Sequence, residues 1–201
     1  MAGTILLTMF ELLGGMLGIV ATMALSYYLL IESPSLFDEL LRLFPRAHRP
    51  RLQLAASEIT TKVGSWLVMQ GVLALVIGAT SGVALWLMGV PYVSVLALIA
   101  GIGELIPYVG PLVAAVPAIL VASSASWQLA LGVAVFFLLQ QQLENHVLVP
   151  KLMGDRVGLS AAGVIIALLL GGSLMGVLGA ILAIPTAAIV QVIARQALAD
   201  R

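Results

Sequence analysis

The feature that most constrains this chain is the length of its uncharged apolar runs. Residues 12–31 and 66–88 contain no charged side chain, and each run reaches the roughly 20 residues that a helix needs to cross a hydrocarbon core of about 30 Å. Charged residues make up 9% of the chain and the mean hydropathy is +1.17, whereas soluble domains carry about 25% charged residues. Strands of an outer-membrane barrel would alternate polar and apolar residues, which these runs do not. The sequence therefore predicts an all-α polytopic membrane protein.

Charge and cysteine content exclude several classes of function. Nine basic and nine acidic residues give a net charge of zero, which offers no electrostatic argument for binding nucleic acid. The absence of cysteine removes disulfides, thiol catalysis and cysteine-ligated metals. Neither His48 nor His146 lies at a metal-binding spacing from another ligand, and Ser173 lacks the G-x-S-x-G frame of a nucleophile elbow. We expect no cofactor, no metal and no enzymatic activity.

The segment 32–65 is more polar than its flanks but keeps a helical periodicity. Ser33 before Pro34 is the pattern of an N-cap followed by proline at the first helical position. The apolar residues after it recur on one helix face. These residues are Leu36, Leu40, Leu43 and Phe44. We expect this helix to lie along the inner membrane surface with its apolar face toward lipid or the helix bundle.

A second amphipathic helix is predicted to begin near Pro50, after a short break that starts at Pro45. It should run directly into the span 66–88, and Glu58 and Lys62 are placed to pair at i,i+4. The predicted organisation is a first transmembrane segment at 1–31, an amphipathic cytoplasmic-side segment at 32–65 and a transmembrane core at 66–201.

Two apolar stretches have lengths that fit neither one span nor two. Residues 92–121 contain one acid, Glu104, and no base, and their length lies between the roughly 20 residues of one span and the roughly 40 of two. The interruption near the middle contains Pro107, Tyr108, Gly110 and Pro111. We predict two half-helices that meet at a turn and form a re-entrant hairpin.

The stretch 161–193 repeats this plan. It is also too long for one span, and it contains Gly171, Gly172, Gly176, Gly179 and Pro185. Between the two anomalous stretches, a full span is predicted at 127–143, followed by a polar loop at 144–159. The predicted fold is thus three full transmembrane helices, two broken re-entrant helical hairpins and an amphipathic interfacial region.

The basic residues predict the orientation, because positive charge favours the cytoplasmic side. All nine lie in three segments: Arg42, Arg46, Arg49, Arg51 and Lys62, then Lys151 and Arg156, then Arg195 and Arg201. If span 66–88 leaves the cytoplasm and span 127–143 returns to it, all three segments lie inside. The two hairpins then enter the membrane from opposite faces.

Broken helices are the best sequence indication of a transport site. Non-helical backbone at membrane depth is tolerated only where protein or a water-filled cavity satisfies its polar groups. The structural alternative is that proline and glycine merely kink closely packed helices. Because two long segments are each broken near the centre, we interpret them as the walls of a pathway.

Glu104 is the sharpest single candidate, since an acid inside the membrane costs about 2.5 to 3.5 kcal/mol even on a lenient insertion scale. It must be protonated, paired or facing water. The functional interpretation is a proton- or cation-coupling carboxylate that titrates during the transport cycle. The structural alternative is an acid hydrated near the surface or hydrogen-bonded to the broken backbone.

A second polar cluster stands where span 127–143 ends, and its members are Gln140, Gln141, Gln142, Glu144 and Asn145. Its amides suit a pathway lining, but they equally suit a helix that reaches the headgroups. We single out Gln142 and Glu144 as residues that could face the hairpins, with Asn145 and Pro150 beside them in an inner vestibule.

Three motifs occur in a specific order along this chain. The first is GIGELIPYVGP at 101–111. The second is QLENHVLVPKLMG at 142–154, continued by RVGL at 156–159, and the third is GGSLMGVLGAILAIP at 171–185. Over roughly residues 26–192, this set resembles the PerM-like autoinducer-2 exporter family of bacterial transporters.

The resemblance implies a multi-pass protein of the bacterial inner membrane that exports small solutes. Some relatives are described as sodium/proton antiporters, and similar proteins form homo-oligomers, among them pentamers. Family members usually have two further spans before the first one here, so the chain looks short at its N-terminus. The family also usually has a proline two residues after the glycine–leucine pair at 158–159, where this chain has Ser160-Ala161.

Three functions remain open at this point. The first is a secondary transporter or facilitator that moves a small solute or a monovalent cation between the two broken segments. Its close helix packing would depend on Gly171, Gly172, Gly176 and Gly179. The second is a passive oligomeric channel, and the third is a membrane scaffold that recruits a partner through the segment 34–63.

Overall fold

The computed structural model describes residues 2–152 and 158–198, with the side chains of 2–13, 152, 161, 197 and 198 outside the description. Its helices are α1 (Ala2–Arg42), α2 (Arg49–Leu87), α3 (Val93–Gly103), α4 (Gly110–Ser123), α5 (Trp127–Leu143), a π-helix (Glu144–Leu148), α6 (Val149–Leu152) and α7 (Ala161–Leu198). Arg156 and Arg201, two bases of the orientation argument, lie outside the described residues. The chain forms two compact units, one up to Leu54 and one from Ala55.

In the first unit, the predicted helix start at Ser33 is wrong. Helix α1 continues through Pro34 to Arg42 without interruption. Proline cannot donate to the carbonyl of Leu30, four residues earlier, but the hydroxyl of Ser33 donates to that carbonyl instead, at 3.2 Å. The serine therefore repairs the helix at the proline rather than capping a new helix.

The predicted break after α1 is confirmed. Residues 43–48 leave the helix, and the guanidinium of Arg49 donates to the carbonyls of Phe44 at 3.1 Å and Arg42 at 3.2 Å. These contacts satisfy carbonyl groups that the end of α1 leaves without intrahelical donors. On the predicted amphipathic face, Leu40 is 56% exposed and Phe44 47%, and the expectation that this face meets lipid stays a prediction.

The core of the second unit comes from α2 to α5. Its buried members include Leu73, Ile77, Leu85, Leu96, Ala100, Val133 and Phe137. On α4, every fourth residue is small and buried: Gly110, Ala114, Ala118 and Ala122. Small residues at this spacing let neighbouring backbones approach closely. The core is consequently thin, and most large apolar side chains point outward, as expected of helices in lipid.

The first broken hairpin is confirmed as two helices joined by a turn. Helices α3 and α4 meet where Gly103 and Gly110 touch, because a Cβ added at Gly110 would overlap the carbonyl group of Gly103. The turn between them, residues 104–109, includes Tyr108 with φ of +66°. A bulky residue in this left-handed conformation is uncommon, and here it allows the chain to reverse within six residues.

The second hairpin lies inside α7, which reverses at Met175 and Gly176, where the backbone angles are not helical. Gly171 and Gly179 touch backbone to backbone, although eight residues of straight helix would separate them by about 12 Å. The amide of Gln191 also donates to the carbonyl of Gly158 at 2.7 Å. The two arms therefore lie side by side and open at the same end.

The two hairpins open at opposite ends of α2. Helix α3 starts beside the C-terminal end of α2, whereas Arg195, near the end of α7, pairs with Glu58 at 3.6 Å in the first turns of α2 within this unit. The predicted i,i+4 pair of Lys62 with Glu58 is confirmed at 3.0 Å. The predicted entry of the two hairpins from opposite faces of the membrane stays a prediction.

Three stretches of described helix are long and apolar enough to cross a membrane, judged by length and composition alone: Gly14–Arg42, Arg49–Leu87 and Ala162–Gln196. The third contains the reversal at Gly176 and is therefore bent back on itself rather than straight. Helix α5, at 17 residues, lies at the lower limit for a span.

The predicted polar loop after α5 is wrong over its first half. The chain remains helical through Leu152, first as a π-helix and then as α6. Pro150 lacks the N–H that an α-helix would use, and its ring would clash with the carbonyl four residues earlier. A π-turn just before it widens the helix and avoids this conflict.

Candidate functional site

Glu104 lies at the end of α3, where the first hairpin turns. The side chain is 1% exposed. Its backbone carbonyl accepts a hydrogen bond from the side-chain amide of Gln70 on α2. Among the described residues, no amide, hydroxyl or basic group donates to the carboxyl oxygens of Glu104, and the group they meet is the carboxyl group of Glu144. The predicted acid in the broken segment is therefore deeply buried, which removes the alternative of an acid hydrated near the surface.

Glu144 reaches the same place from α5. It begins the π-helix and is 5% exposed. Because α5 runs antiparallel to α2 and Gln140 bonds near Ile77, the next turn of α5 carries Glu144 toward Gln70. The two carboxyl groups lie close enough for their charges to act on each other. We call Glu104 and Glu144 the acid pair.

The amide of Gln140 fastens α5 to α2 on one side of the acid pair. Its nitrogen donates to the carbonyl of Ile77 at 3.2 Å and to the hydroxyl of Thr80 at 2.8 Å. Its oxygen accepts from the hydroxyl of Ser81 at 3.1 Å. All the polar atoms of this amide are thus paired, as buried polar groups usually are.

A small cavity of about 10 Å³ adjoins Glu144. It is lined by Ile77, Pro111, Ala114, Phe137, Gln140, Gln141 and Glu144. A volume near 10 to 15 Å³ holds about one water molecule. Pro111 belongs to the first turn of α4, so the positive end of that helix dipole faces this cavity and favours negative charge there.

Within the described part of the chain, no base pairs with either member of the acid pair. By contrast, Glu58 forms ion pairs with Lys62 and Arg195. A buried carboxylate without a paired cation is expensive. In membrane proteins, such acids mark ion pathways and proton relays. The acid pair is therefore the strongest candidate for a functional site in this structure.

The structure brings only some of the predicted site residues to the acid pair. Pro111 lines its cavity and Gly110 holds the hairpin crossing beside it. Pro107 is half-buried in the turn, and Tyr108 is 48% exposed. The structure places three other predicted residues on exposed positions of α5, the π-helix and α6: Gln142, Asn145 and Pro150.

The predicted residues of the second hairpin lie away from the acid pair, within α7. Gly171 and Gly179 form the crossing of its two arms, and the nearest other side chains are Ala183 and Met175. Gly172 and Gly176 have open space where a Cβ would stand, and Pro185 is buried within α7. A groove of about 520 Å³ follows this hairpin. The proposed role of these residues in a pathway stays a prediction.

Sequence reasoning missed the polar residues on α2. The amide of Gln70 bonds to the backbone of Glu104, and the hydroxyls of Ser81 and Thr80 bond to Gln140. Gln70 and Ser81 are buried. The signal for Gln70 was present, because it is an amide inside an otherwise apolar span. Gln140 stood within the predicted polar cluster, but the helix face that would turn inward was not evident from composition.

The sequence of this chain is similar to those of known bacterial transport proteins. The family model for AI-2E family transporters matches residues 2–199. YrrI of Bacillus subtilis, named as a candidate transport protein, is 33% identical over 150 residues, which are 75% of this chain and 42% of the relative. MT0215 of Mycobacterium tuberculosis, similarly named, is 32% identical over 165 residues, 80% of this chain and 44% of the relative.

A further relative is named for a substrate. The AI-2 transport protein TqsA of Escherichia coli is 28% identical over 171 residues, which are 84% of this chain and 49% of that protein. The chain thus spans about half the length of the curated relatives it matches. A multi-pass helical membrane structure with two broken hairpins agrees with the match across nearly all of the sequence, and this chain belongs to the AI-2E family of transporters.

Proposed function

We propose that this chain moves a small solute, or exchanges cations and protons, across the bacterial inner membrane along a pathway beside the acid pair. The observation that carries this proposal is the buried carboxyl group of Glu104 at a broken hairpin, which meets a second acid, Glu144, and no base among the described residues. A purely structural acid would be expected to have a basic partner. The name of TqsA supports autoinducer-2 as the first solute to examine.

The turn at 104–109 supplies the second part of the argument. It contains backbone that is not helical and lies at the level of Gln70, one turn inside the uncharged run 66–88 of α2. Backbone of this kind needs protein or water around it inside a membrane. Broken helices inside a membrane also offer their ends to ions and polar substrates, and the first turn of α4 does so at the cavity beside Glu144.

Flux measurements on the purified protein in liposomes test this function. We expect autoinducer-2 uptake, or acidification reported by a trapped pH-sensitive dye, that depends on a sodium or proton gradient. Flux of equal size without any gradient would instead indicate a passive channel. Protein-free liposomes provide the control. The absence of both fluxes would contradict transport and favour a scaffold.

The orientation of the membrane domain gives a separate prediction, because basic segments favour the cytoplasm. Cysteines introduced at Lys151 and Arg195 should be shielded from an impermeant thiol reagent in whole cells and react after lysis. A cysteine at Ser124, in the exposed connection between α4 and α5, should react in whole cells. Reaction of all three from one side would contradict the proposed topology.

A further inference from the structure

Two glutamine amides tie the acid pair to α2, one amide for each acid. The side-chain nitrogen of Gln70 on α2 donates to the backbone carbonyl of Glu104. Gln140 lies one turn before Glu144 on α5, and its side-chain nitrogen donates to the carbonyl of Ile77 on α2 at 3.2 Å. Gln70 is 2% exposed and Gln140 is 8% exposed, so bulk water competes little for these contacts. Each acid therefore lies within one helical turn of a polar tie to α2.

The tie from Gln70 is made at the tip of the first hairpin. The last carbonyl groups of a helix have no donor within that helix, and α3 ends where the turn 104–109 begins. The amide of Gln70 supplies the missing donor to the carbonyl of Glu104 from a neighbouring helix. A hydrogen bond is directional, so this contact fixes the backbone of Glu104, and with it the origin of its side chain, against α2.

The tie from Gln140 fixes the rotation of α5. Its amide bonds not only to Ile77 but also to the hydroxyls of Thr80 and Ser81, and a rotation of α5 about its own axis would break all three contacts together. Residues four apart in a helix lie on the same face. Glu144 therefore points toward the acid pair when the amide of Gln140 is in place.

The contact between the two acids tolerates little movement. The carboxyl groups of Glu104 and Glu144 hydrogen-bond each other, and an O–H···O bond spans only about 2.5 to 3.0 Å between its oxygens. The two side chains start from different helices, and α2 is the element to which both helices are tied. The separation of the two carboxyl groups consequently depends on how the hairpin tip and α5 are each held on α2.

We propose that Gln70 and Gln140 are positioning residues that hold the carboxyl groups of Glu104 and Glu144 in contact. This inference rests on the proposed function in using the same acid pair, and it adds two residues that act on transport through that pair. Loss of either tie should separate the carboxyl groups while leaving both acids in the protein. Amides that merely stabilise the helix packing would have no such effect on the contact between the acids.

Infrared spectroscopy of the purified protein in liposomes measures this contact directly. The C=O stretching band of a protonated carboxyl group moves to higher frequency when its hydrogen bond weakens. The difference spectrum between wild type and Glu104→Gln assigns the band of the acid pair. We expect this band to move to higher frequency in Gln70→Met and in Gln140→Met, since methionine preserves the length of the side chain but cannot donate a hydrogen bond.

Flux in the same liposomes measures the consequence for transport. Gln70→Met should lower the initial rate of gradient-driven flux about tenfold, a factor that corresponds to the loss of one hydrogen bond to a buried acceptor. Gln128→Met provides the matched control, because it changes an exposed amide at the far end of α5. It should leave both the infrared band and the flux unchanged.

Milder variants keep the proposal testable if a methionine variant does not fold. Gln70→Asn withdraws the donor by one methylene while keeping an amide, and it should move the band in the same direction. Thr80→Val removes one of the three partners of Gln140 and should move the band by a smaller amount. A band that stays in place in folded variants of both glutamines would overturn the positioning role, whatever their flux.

The infrared and flux measurements fail independently. A shifted band in protein that shows no flux even as wild type would contradict the proposed transport function but leave the positioning role standing. Wild-type flux in a variant whose band has shifted would leave the transport function standing and overturn the claim that Gln70 and Gln140 act on transport through the acid pair.

Discussion

Gly179→Ala is expected to lower the free energy of unfolding by about 3 kcal/mol or more, at the upper end of the range for overpacking a core. A methyl group at this position would overlap the carbonyl group of Gly171. Backbone atoms cannot rotate away as a side chain can, so the two arms of the second hairpin must separate. The measurement is unfolding in mixed detergent micelles followed by circular dichroism, together with the yield of monodisperse protein.

Gly172 provides a matched control in the same hairpin. A Cβ added there meets no atom within 4 Å, so Gly172→Ala should be neutral or stabilising by up to about 1 kcal/mol, as alanine favours a helix over glycine. If Gly179→Ala folds with the stability of Gly172→Ala, the arms do not cross at this pair of glycines. That result would contradict the reversal at Gly176 as described.

Glu104→Gln is expected to reduce gradient-driven flux to below about one-tenth of the wild-type rate, since even the outer partners of a bound ion are worth about 10- to 100-fold. Glutamine keeps the shape of the side chain and removes its negative charge. The site then loses the attraction that draws a cation into a place of low polarity. Initial rates in liposomes, at matched protein incorporation, provide the measurement.

The stability of the same variant distinguishes a functional acid from a structural one. Because Glu104 is buried beside a second acid and no base among the described residues neutralises it, its replacement by a neutral amide should leave stability unchanged or raise it. Glu58→Gln serves as the control, because it removes an acid that is already paired with Lys62 and Arg195, and its flux should stay near wild type. Normal flux in Glu104→Gln, or a marked loss of its stability, would contradict the proposal.

The broken hairpins could be predicted because their signal is local. The lengths of 92–121 and 161–193 fit no whole number of spans, and proline or glycine stood near the middle of each stretch. Helix boundaries at Trp127 and Leu143 agree with the prediction to the residue. The errors arose at Ser33, where the serine–proline pair suggested the start of a new helix, and from Glu144, where polar residues suggested a loop. In both places a hydrogen bond or a π-turn allowed the helix to continue.

The partners of Glu104 could not be predicted in the same way. Gln70 precedes it by 34 residues and Glu144 follows on another helix, and all three residues lie in segments whose hydrophobic pattern has little direction. In lipid both faces of a helix are apolar, so periodicity does not show which face turns inward. The acid pair could therefore be recognised only from the structure, which shows how far α3 and α5 are shifted along α2.

The sequence by itself determined that this chain spans a membrane, that two of its apolar stretches are broken, and that one acid stands at a break. Each of these follows from composition and from the order of residues within about 30 positions, because a bilayer requires a definite length of uncharged helix. Only the tertiary structure decided which polar groups meet. The register of α2, α3 and α5 is set by contacts of small residues such as Gly78 against Gly101, and this register brings Gln70, Glu104 and Glu144 to one buried place.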